Sequence, residues 1–208
     1  MKGFITIEGV EGAGKTTQAA RLADALRRDG HDVVLTREPG GTELGRSLRQ
    51  LLLDEASPAP TPQTELLLYL ADRAEHVERL IRPALERGAV VIADRFSDSM
   101  IAYQGHGRGV PIETVRSLDA FARAGIAPSL TFLLDLSPEE GLERVRASRT
   151  ADRLESEDLD FHRRVRAGFR AIAKKDTDRV VLLDASEDVT SLAHRIVEVA
   201  RRHLGAPR

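Results

Sequence analysis

The chain contains no cysteine. That excludes disulfides, thiolate metal sites and cysteine nucleophiles, without by itself fixing a compartment. Excess charge of either sign is also missing: the formal net charge is -2. A protein that holds nucleic acid nonspecifically needs a basic field, so no nucleic-acid partner is expected. No apolar run approaches the roughly 18 residues of a membrane span. The opening MKGFITIEGV lacks the apolar core of a signal peptide and runs at once into a strand-like segment. These absences give the expectation of a cytoplasmic protein with no membrane partner. Repeats, low-complexity tracts and a second domain are absent too, and residues 1–208 are read as one domain with its own core.

Five short apolar runs recur between helical stretches: GFITIEG, DVVLT, AVVIAD, LTFLLD and RVVLLDA. Runs of this length without alternation suit parallel strands buried on both faces. The intervening stretches are amphipathic, as in Lys15 to Gly30, which closes on a glycine. Strand and helix in alternation predict an α/β fold with a doubly wound, parallel five-stranded sheet. Ligands of such sheets bind beyond the carboxyl ends of the strands. The proline-rich stretch Asp54 to Gln63 reads as a loop leading into a long helix, QTELLLYLADRAEHVERL.

GVEGAGKT, residues 9 to 16, matches GxxxxGK[ST] without a gap. Gly9, Val10, Glu11, Gly12, Ala13 and Gly14 form a turn whose glycines let backbone N–H groups converge on phosphates. A helix begins there, so its positive dipole end faces the anion. Lys15 is placed to reach the β- and γ-phosphates, and the Thr16 hydroxyl to join a Mg²⁺ shell. Thr17 is a weaker candidate for the α-phosphate. The pattern predicts a bound nucleotide whose terminal phosphate goes to water, to a switch or to a second small molecule.

A second anion site is expected just past the third strand, at Asp94 and Arg95. Asp94 there can hold water on Mg²⁺ or orient a cation. The planar fork of Arg95 suits a phosphate, and an arginine in place of a water-activating glutamate points to a bound anion as acceptor. Thr36 to Gln50 follows the second strand, and Arg49 lies on the helix that its Glu-Pro-Gly-Gly turn begins.

Together, IEGVEGAGKTTQ, TREPGGTELG, LADRAEHV, DRFSDSMIAYQGHGRG, LLDLSPEEGLER and ADRLESEDLDFHRRV resemble the bacterial thymidylate kinases (dTMP kinases), in that family's order and along nearly the whole chain. The resemblance implies a P-loop nucleoside-monophosphate-kinase fold with a short helical, flexible lid over about residues 143–158. It implies transfer of the ATP γ-phosphate to dTMP, with Mg²⁺ as cofactor and a homodimer as the working form. Arg95 and Arg49 would clamp the dTMP phosphate. Arg73 and Gln104 would read the thymine edge, Tyr69 would stack on the base where relatives usually carry phenylalanine, and Tyr103 would crowd the 2′ position of the sugar. Ser99 and Asp98 would support that loop, Met100 stands where many relatives have a small polar residue, and Glu11 would sit near the sugar or order waters around Mg²⁺. Apolar faces at Leu66 to Leu70 and Leu118 to Phe121 serve either a dimer or the core.

An arginine offered to the transferred phosphoryl group is worth roughly 10³–10⁵ in rate. One subclass of the family carries it in the P-loop, where this chain has Gly12. The other uses the lid, and Glu143 to Asp158 holds Arg144, Arg146, Arg149 and Arg153. Arg153 is the first choice for the catalytic cation and Arg149 the second. Arg146 is a candidate for positioning. The adenine pocket is expected beside Asp184 to Asp188, with Arg144 against the base. A kinase for dUMP or dCMP, and a P-loop switch or ATPase, are the alternatives; no Asn-Lys-x-Asp segment of a guanine-reading switch is present.

Overall fold

The computed structural model describes residues 3–148 and 150–205. Five strands, β1 (Phe4–Gly9), β2 (Val33–Arg37), β3 (Val90–Asp94), β4 (Leu130–Asp135) and β5 (Val180–Asp184), form one sheet in the order β2-β3-β1-β4-β5. Every pairing is parallel. The predicted strands and the expected α/β architecture are both present.

The strands lack alternation because each face has its own helical cover. Ile5 and Ile7 of β1 and Val90 and Ile92 of β3 pack with Ala19, Leu22 and Leu26. Phe4, Val91 and Ala93 point the other way, onto Val77, Ile81 and Leu85. Burying each large side chain stabilises the fold by about 1.5–3 kcal/mol relative to exposure.

Helix α1 (Lys15–Arg28) supplies the first set through residues 19, 22, 23 and 26, the spacing of one helical face. Two arginines in its last turn suit the negative dipole end. Helix α2 (Glu43–Leu53) is capped by Thr42, whose hydroxyl accepts from the Gly45 N–H. Helix α3 (Pro62–His76) begins with Thr61 as cap and proline at its first position. The predicted long helix does not continue as one α-helix. Val77–Ile81 winds as π-helix before α4 (Arg82–Glu86).

After β3 comes the short α5 (Ser97–Met100), which runs into a second π-helical segment, Ile101–Gly107, then α6 (Ile112–Ala122). Helix α7 (Pro138–Ser148) runs into the predicted lid and forms its first part, α8 (Leu159–Lys175) begins just after it, and α9 (Val189–Leu204) packs beside α1. Among the described residues no helix is long and apolar enough to cross a membrane.

Strand order sets the site. Ile7 of β1 pairs with Asp94 of β3, so the carboxyl ends of two central strands emerge side by side. One carries the glycine-rich turn and the other carries Arg95.

Leu66 and Leu70 are core residues packed with Met100, Val115 and Ala122, whereas Leu67 and Phe121 face outward. The predicted apolar faces are therefore divided between core and surface.

Candidate active site

A cleft of about 870 Å³ opens at the carboxyl ends of the strands. The P-loop forms one wall. Gly14 caps α1 in the left-handed conformation, with φ 84° and no side-chain cap, so the helix presents its first-turn N–H groups to the cleft. Glu11, Gly12, Gly14, Lys15, Thr16 and Thr17 all line it. Val10 and Ala13 instead put their side chains into the core, and Gly9 lies beneath with its carbonyl engaged by Arg95.

Lys15 spans the loop, donating from Nζ to the Val10 carbonyl at 2.6 Å. Burial and the Arg95 charge bring its ammonium down to about 8, against the pull of Asp94 and Glu11. Thr16 Oγ1 donates to Asp94 Oδ2 at 2.5 Å, tying the start of α1 to the end of β3.

At position 12 the backbone has φ 67°, and a Cβ would lie 2.1 Å from the Gly141 carbonyl oxygen on α7. A P-loop arginine has no room here.

Arg95 stands opposite. Its φ of 74° is in the left-handed region, which costs a residue with a Cβ roughly 1–3 kcal/mol. Its N–H donates to Ile7, and its guanidinium donates to the Gly9 carbonyl at 3.0 Å, Ser99 Oγ at 3.1 Å and Glu11 Oε1 at 3.4 Å. The guanidinium carbon sits 4.9 Å from the centre of the Tyr103 ring. Burial opposes the charge, but Tyr103, Glu11 and Asp94 more than reverse that and hold the pKa above its ordinary value. Ser99 in turn donates to the buried Glu8 at 2.5 Å.

Arg49 also lines the cleft and donates to the Pro39 carbonyl at 3.1 Å. Burial and Arg37 both lower its pKa. Arg37 and Arg46, which the sequence reading missed, bring further positive charge to the same end. Arg37, Arg46, Arg49 and Arg95 all line the cleft, and that much positive charge favours an anionic ligand.

Arg73 is 3% exposed, with Nε and Nη2 on Glu38 Oε2 at 3.0 and 2.6 Å and Nη1 on Asp119 at 2.6 Å. Its Nη1 also reaches Met100 Sδ at 3.5 Å. Two carboxylates thus fix its guanidinium at the edge of the cleft. Tyr69 lines the cleft from α3, half-buried, and burial raises its hydroxyl pKa. Tyr103 donates its hydroxyl to Glu11 Oε1. Gln104 donates from Nε2 to Glu65 at 3.1 Å. Both come from the π-helical segment, a winding that recurs at functional sites.

Glu11 is the meeting point of the two walls. Arg95, Tyr103 and His162 surround it; His162 Nδ1 lies 3.2 Å from Glu11 Oε2 without hydrogen-bond geometry. Burial pushes the Glu11 carboxyl up, but His162, Arg95 and Lys15 outweigh it and bring it down to about 2.

The lid departs from expectation at Arg153. This side chain does not line the cleft. Its Nε donates to the Leu52 carbonyl and its Nη2 to Glu65 Oε2, both at 2.7 Å, so a buried carboxylate neutralises the charge meant for the transition state. Arg149 lies outside the described residues. Arg146 is exposed at the surface. Among the described residues, Arg144 is the lid arginine that lines the cleft, donating to the carbonyls of Gly12 at 3.4 Å and Ala185 at 3.1 Å. The segment 184–188 therefore meets the lid through the Ala185 carbonyl.

Sequence reading also missed Glu8, Glu38, Glu65 and His162. Each is buried, and Glu8, a charge inside the apolar run FITIEG, alone gave a local signal.

The thymidylate kinase family model matches residues 7–196. The thymidylate kinase of Synechococcus sp. (strain JA-3-3Ab) is 54% identical over 201 residues, covering 97% of this chain and 96% of the relative. That of Desulfovibrio desulfuricans is 50% identical over 212 residues, covering 97% and 98%. The solved thymidylate kinase of Ehrlichia chaffeensis superposes with a TM-score of 0.77 at 36% identity, covering 94% of this chain and 97% of that one. With this sheet order, P-loop and facing arginine wall, the chain belongs to the thymidylate kinase family.

Proposed function

We propose that the protein transfers the γ-phosphate of ATP to dTMP, giving dTDP and ADP. The observation that carries this reading is Arg95, held in a strained conformation and braced on the Gly9 carbonyl, one strand from the P-loop. A P-loop that served only water or a switch would have no use for a second arginine-walled anion pocket aimed at it.

In the reaction an oxygen of the dTMP phosphate bonds to the γ-phosphorus as the bond to the β–γ bridging oxygen breaks, and ADP leaves with that electron pair. No general base is assigned, since a phosphate monoester with its second pKa near ~6 is already ionised at neutral pH. Catalysis is then positioning and charge stabilisation. Lys15 and the first-turn N–H groups of α1 hold the donor phosphates. Arg95 and Arg49 hold the acceptor phosphate. Arg73 and Gln104 read the base, Tyr69 stacks on it, and Tyr103 with Glu11 bounds the sugar. The lid excludes water, with Arg144 its described cation beside the P-loop.

The residues present fit Mg²⁺. Thr16 and Asp94 offer hard oxygen donors 2.5 Å apart at the mouth of the P-loop. Mg²⁺ takes one or two protein oxygens plus substrate phosphates and water, and this pair would supply the protein's share. Held by Thr16 and Asp94, Mg²⁺ would supply positive charge against the donor phosphates.

A homodimer is the proposed assembly. Phe121 of α6 is 86% exposed and Leu67 of α3 is 58% exposed, with Leu44 and Leu51 of the neighbouring α2 about half exposed. Sedimentation of a species with the mass of one chain across micromolar concentrations would reject the dimer.

The functional test is incubation with ATP, Mg²⁺ and each nucleoside monophosphate in turn, following ADP. ADP release that requires dTMP supports the reading. Release independent of acceptor would mean an ATPase or switch, and preference for another monophosphate a different kinase.

A further inference from the structure

Glu65 stands on α3, one turn before Tyr69, and its side chain is 1% exposed. It does not line the cleft. Its Oε1 accepts from Gln104 Nε2 and Arg108 Nε, each at 3.1 Å. Its Oε2 accepts from Arg108 Nη2 at 3.1 Å and Arg153 Nη2 at 2.7 Å. Burial alone would raise the carboxyl pKa, but hydrogen bonds from the Arg108 and Arg153 guanidiniums reverse that and hold it below its ordinary value. Glu65 is therefore ionised, and an ionised carboxylate only accepts hydrogen bonds.

That fixes the direction of the Gln104 amide. A side-chain amide has a donating end and an accepting end of nearly the same shape, and its neighbours decide which faces which way. Turning Gln104 over would set its oxygen against a buried carboxylate, leaving both acceptors without a proton. With Nε2 committed to Glu65, the accepting oxygen is the end left for the cleft that Gln104 lines. An acceptor there pairs with a base carrying N–H at ring position 3, as thymine and uracil do. Cytosine presents a lone pair at the same position.

We infer that Glu65 is a specificity-determining positioning residue: it holds Gln104 with its carbonyl oxygen toward the base and so selects pyrimidines with an N3–H over cytosine. This rests on the monophosphate-kinase reading above. The Arg108 guanidinium, bonded to both carboxylate oxygens, keeps Glu65 charged by itself, and Arg153 adds one further bond to Oε2.

The test is the ratio of kcat/KM for dTMP to that for dCMP, measured in one preparation so that any unfolded fraction cancels. Glu65→Gln is isosteric, and its amide can donate as well as accept, which frees Gln104 to turn. The ratio is expected to fall at least about tenfold, because the penalty on an unmatched buried hydrogen-bonding edge is removed. A merely structural loss would lower both acceptors equally, and an unchanged ratio overturns the inference. Arg153→Gln leaves Gln104 on Glu65, so it is expected to lower both acceptors together. A ratio that falls with Arg153→Gln as it does with Glu65→Gln would show that general loosening sets the discrimination, and would also overturn it. Wild-type protein that phosphorylates no nucleoside monophosphate would defeat the functional reading itself, a result distinct from either.

Discussion

Arg95 Nη1 donates to the carbonyl of Gly9 at 3.0 Å, so the proposed acceptor clamp is bolted to the first residue of the P-loop. The two sites cannot drift apart without breaking that bond. Alignment of two phosphates depends on such bracing, because a displacement of about 1 Å can cost roughly 10²-fold in rate.

Replacing Arg95 by alanine removes a charged donor set from the proposed acceptor-phosphate site. Hydrogen bonds to charged groups are worth about 1.5–3 kcal/mol each, so dTMP affinity by calorimetry is expected to fall at least about tenfold, with ATP affinity little altered. Equal dTMP binding by wild type and variant would remove Arg95 from the clamp.

Lys15→Ala is expected to leave a folded protein with kcat lower by about 10²–10³, the usual effect of deleting one charge-stabilising donor. Single-turnover kinetics with saturating ATP and dTMP separates this from weakened binding. A rate within a few-fold of wild type would show that the first-turn amides of α1 suffice alone.

Gly12→Ala forces a Cβ to 2.1 Å from the Gly141 oxygen, at a position already at φ 67°. The P-loop and α7 must part. Unfolding in urea is expected to show a loss of about 1–3 kcal/mol, together with weaker ATP binding. Retention of both would mean that the approach of α7 to the loop is not required.

Burial, reinforced by Asp98, pushes the Glu8 carboxyl up to about 8 from an ordinary value of 4.5. The native state therefore keeps a proton that the unfolded chain releases near 4.5. This contribution is complete below that pH and is lost as the pH climbs to about 8. Urea denaturation should find the wild type less stable at about pH 8 than at about pH 5, by on the order of a few kcal/mol. In Glu8→Gln, which keeps an acceptor for the Phe96 N–H, that part of the slope disappears. Parallel pH profiles for the two proteins would contradict a neutral Glu8.

What the sequence made legible was local. The five strands were readable because each is a compact apolar run. Lys15, Thr16, Asp94 and Arg95 were readable because each lies within a few residues of a strand end, where ligands of parallel sheets bind. The buried charges were not. Glu8 meets Phe96 across 88 positions, Glu65 meets Gln104 across 39, and Glu38 meets Arg73 across 35. Nothing local announces such pairs; they exist because the strand order and the π-helical segment bring distant residues together. Arg153 shows the same limit from the other side. Its place in an arginine-rich lid suggested a free cation, and only the fold reveals that Glu65 and the Leu52 carbonyl hold it.

In the proposed reaction, donor and acceptor phosphates meet end to end between the P-loop and Arg95. Calorimetric binding of adenosine and thymidine joined 5′ to 5′ through a chain of phosphates tests it most directly. One molecule is expected to bind per chain, more tightly than ATP or dTMP alone, and to be displaced by either. A compound that ATP displaces but dTMP does not would contradict it.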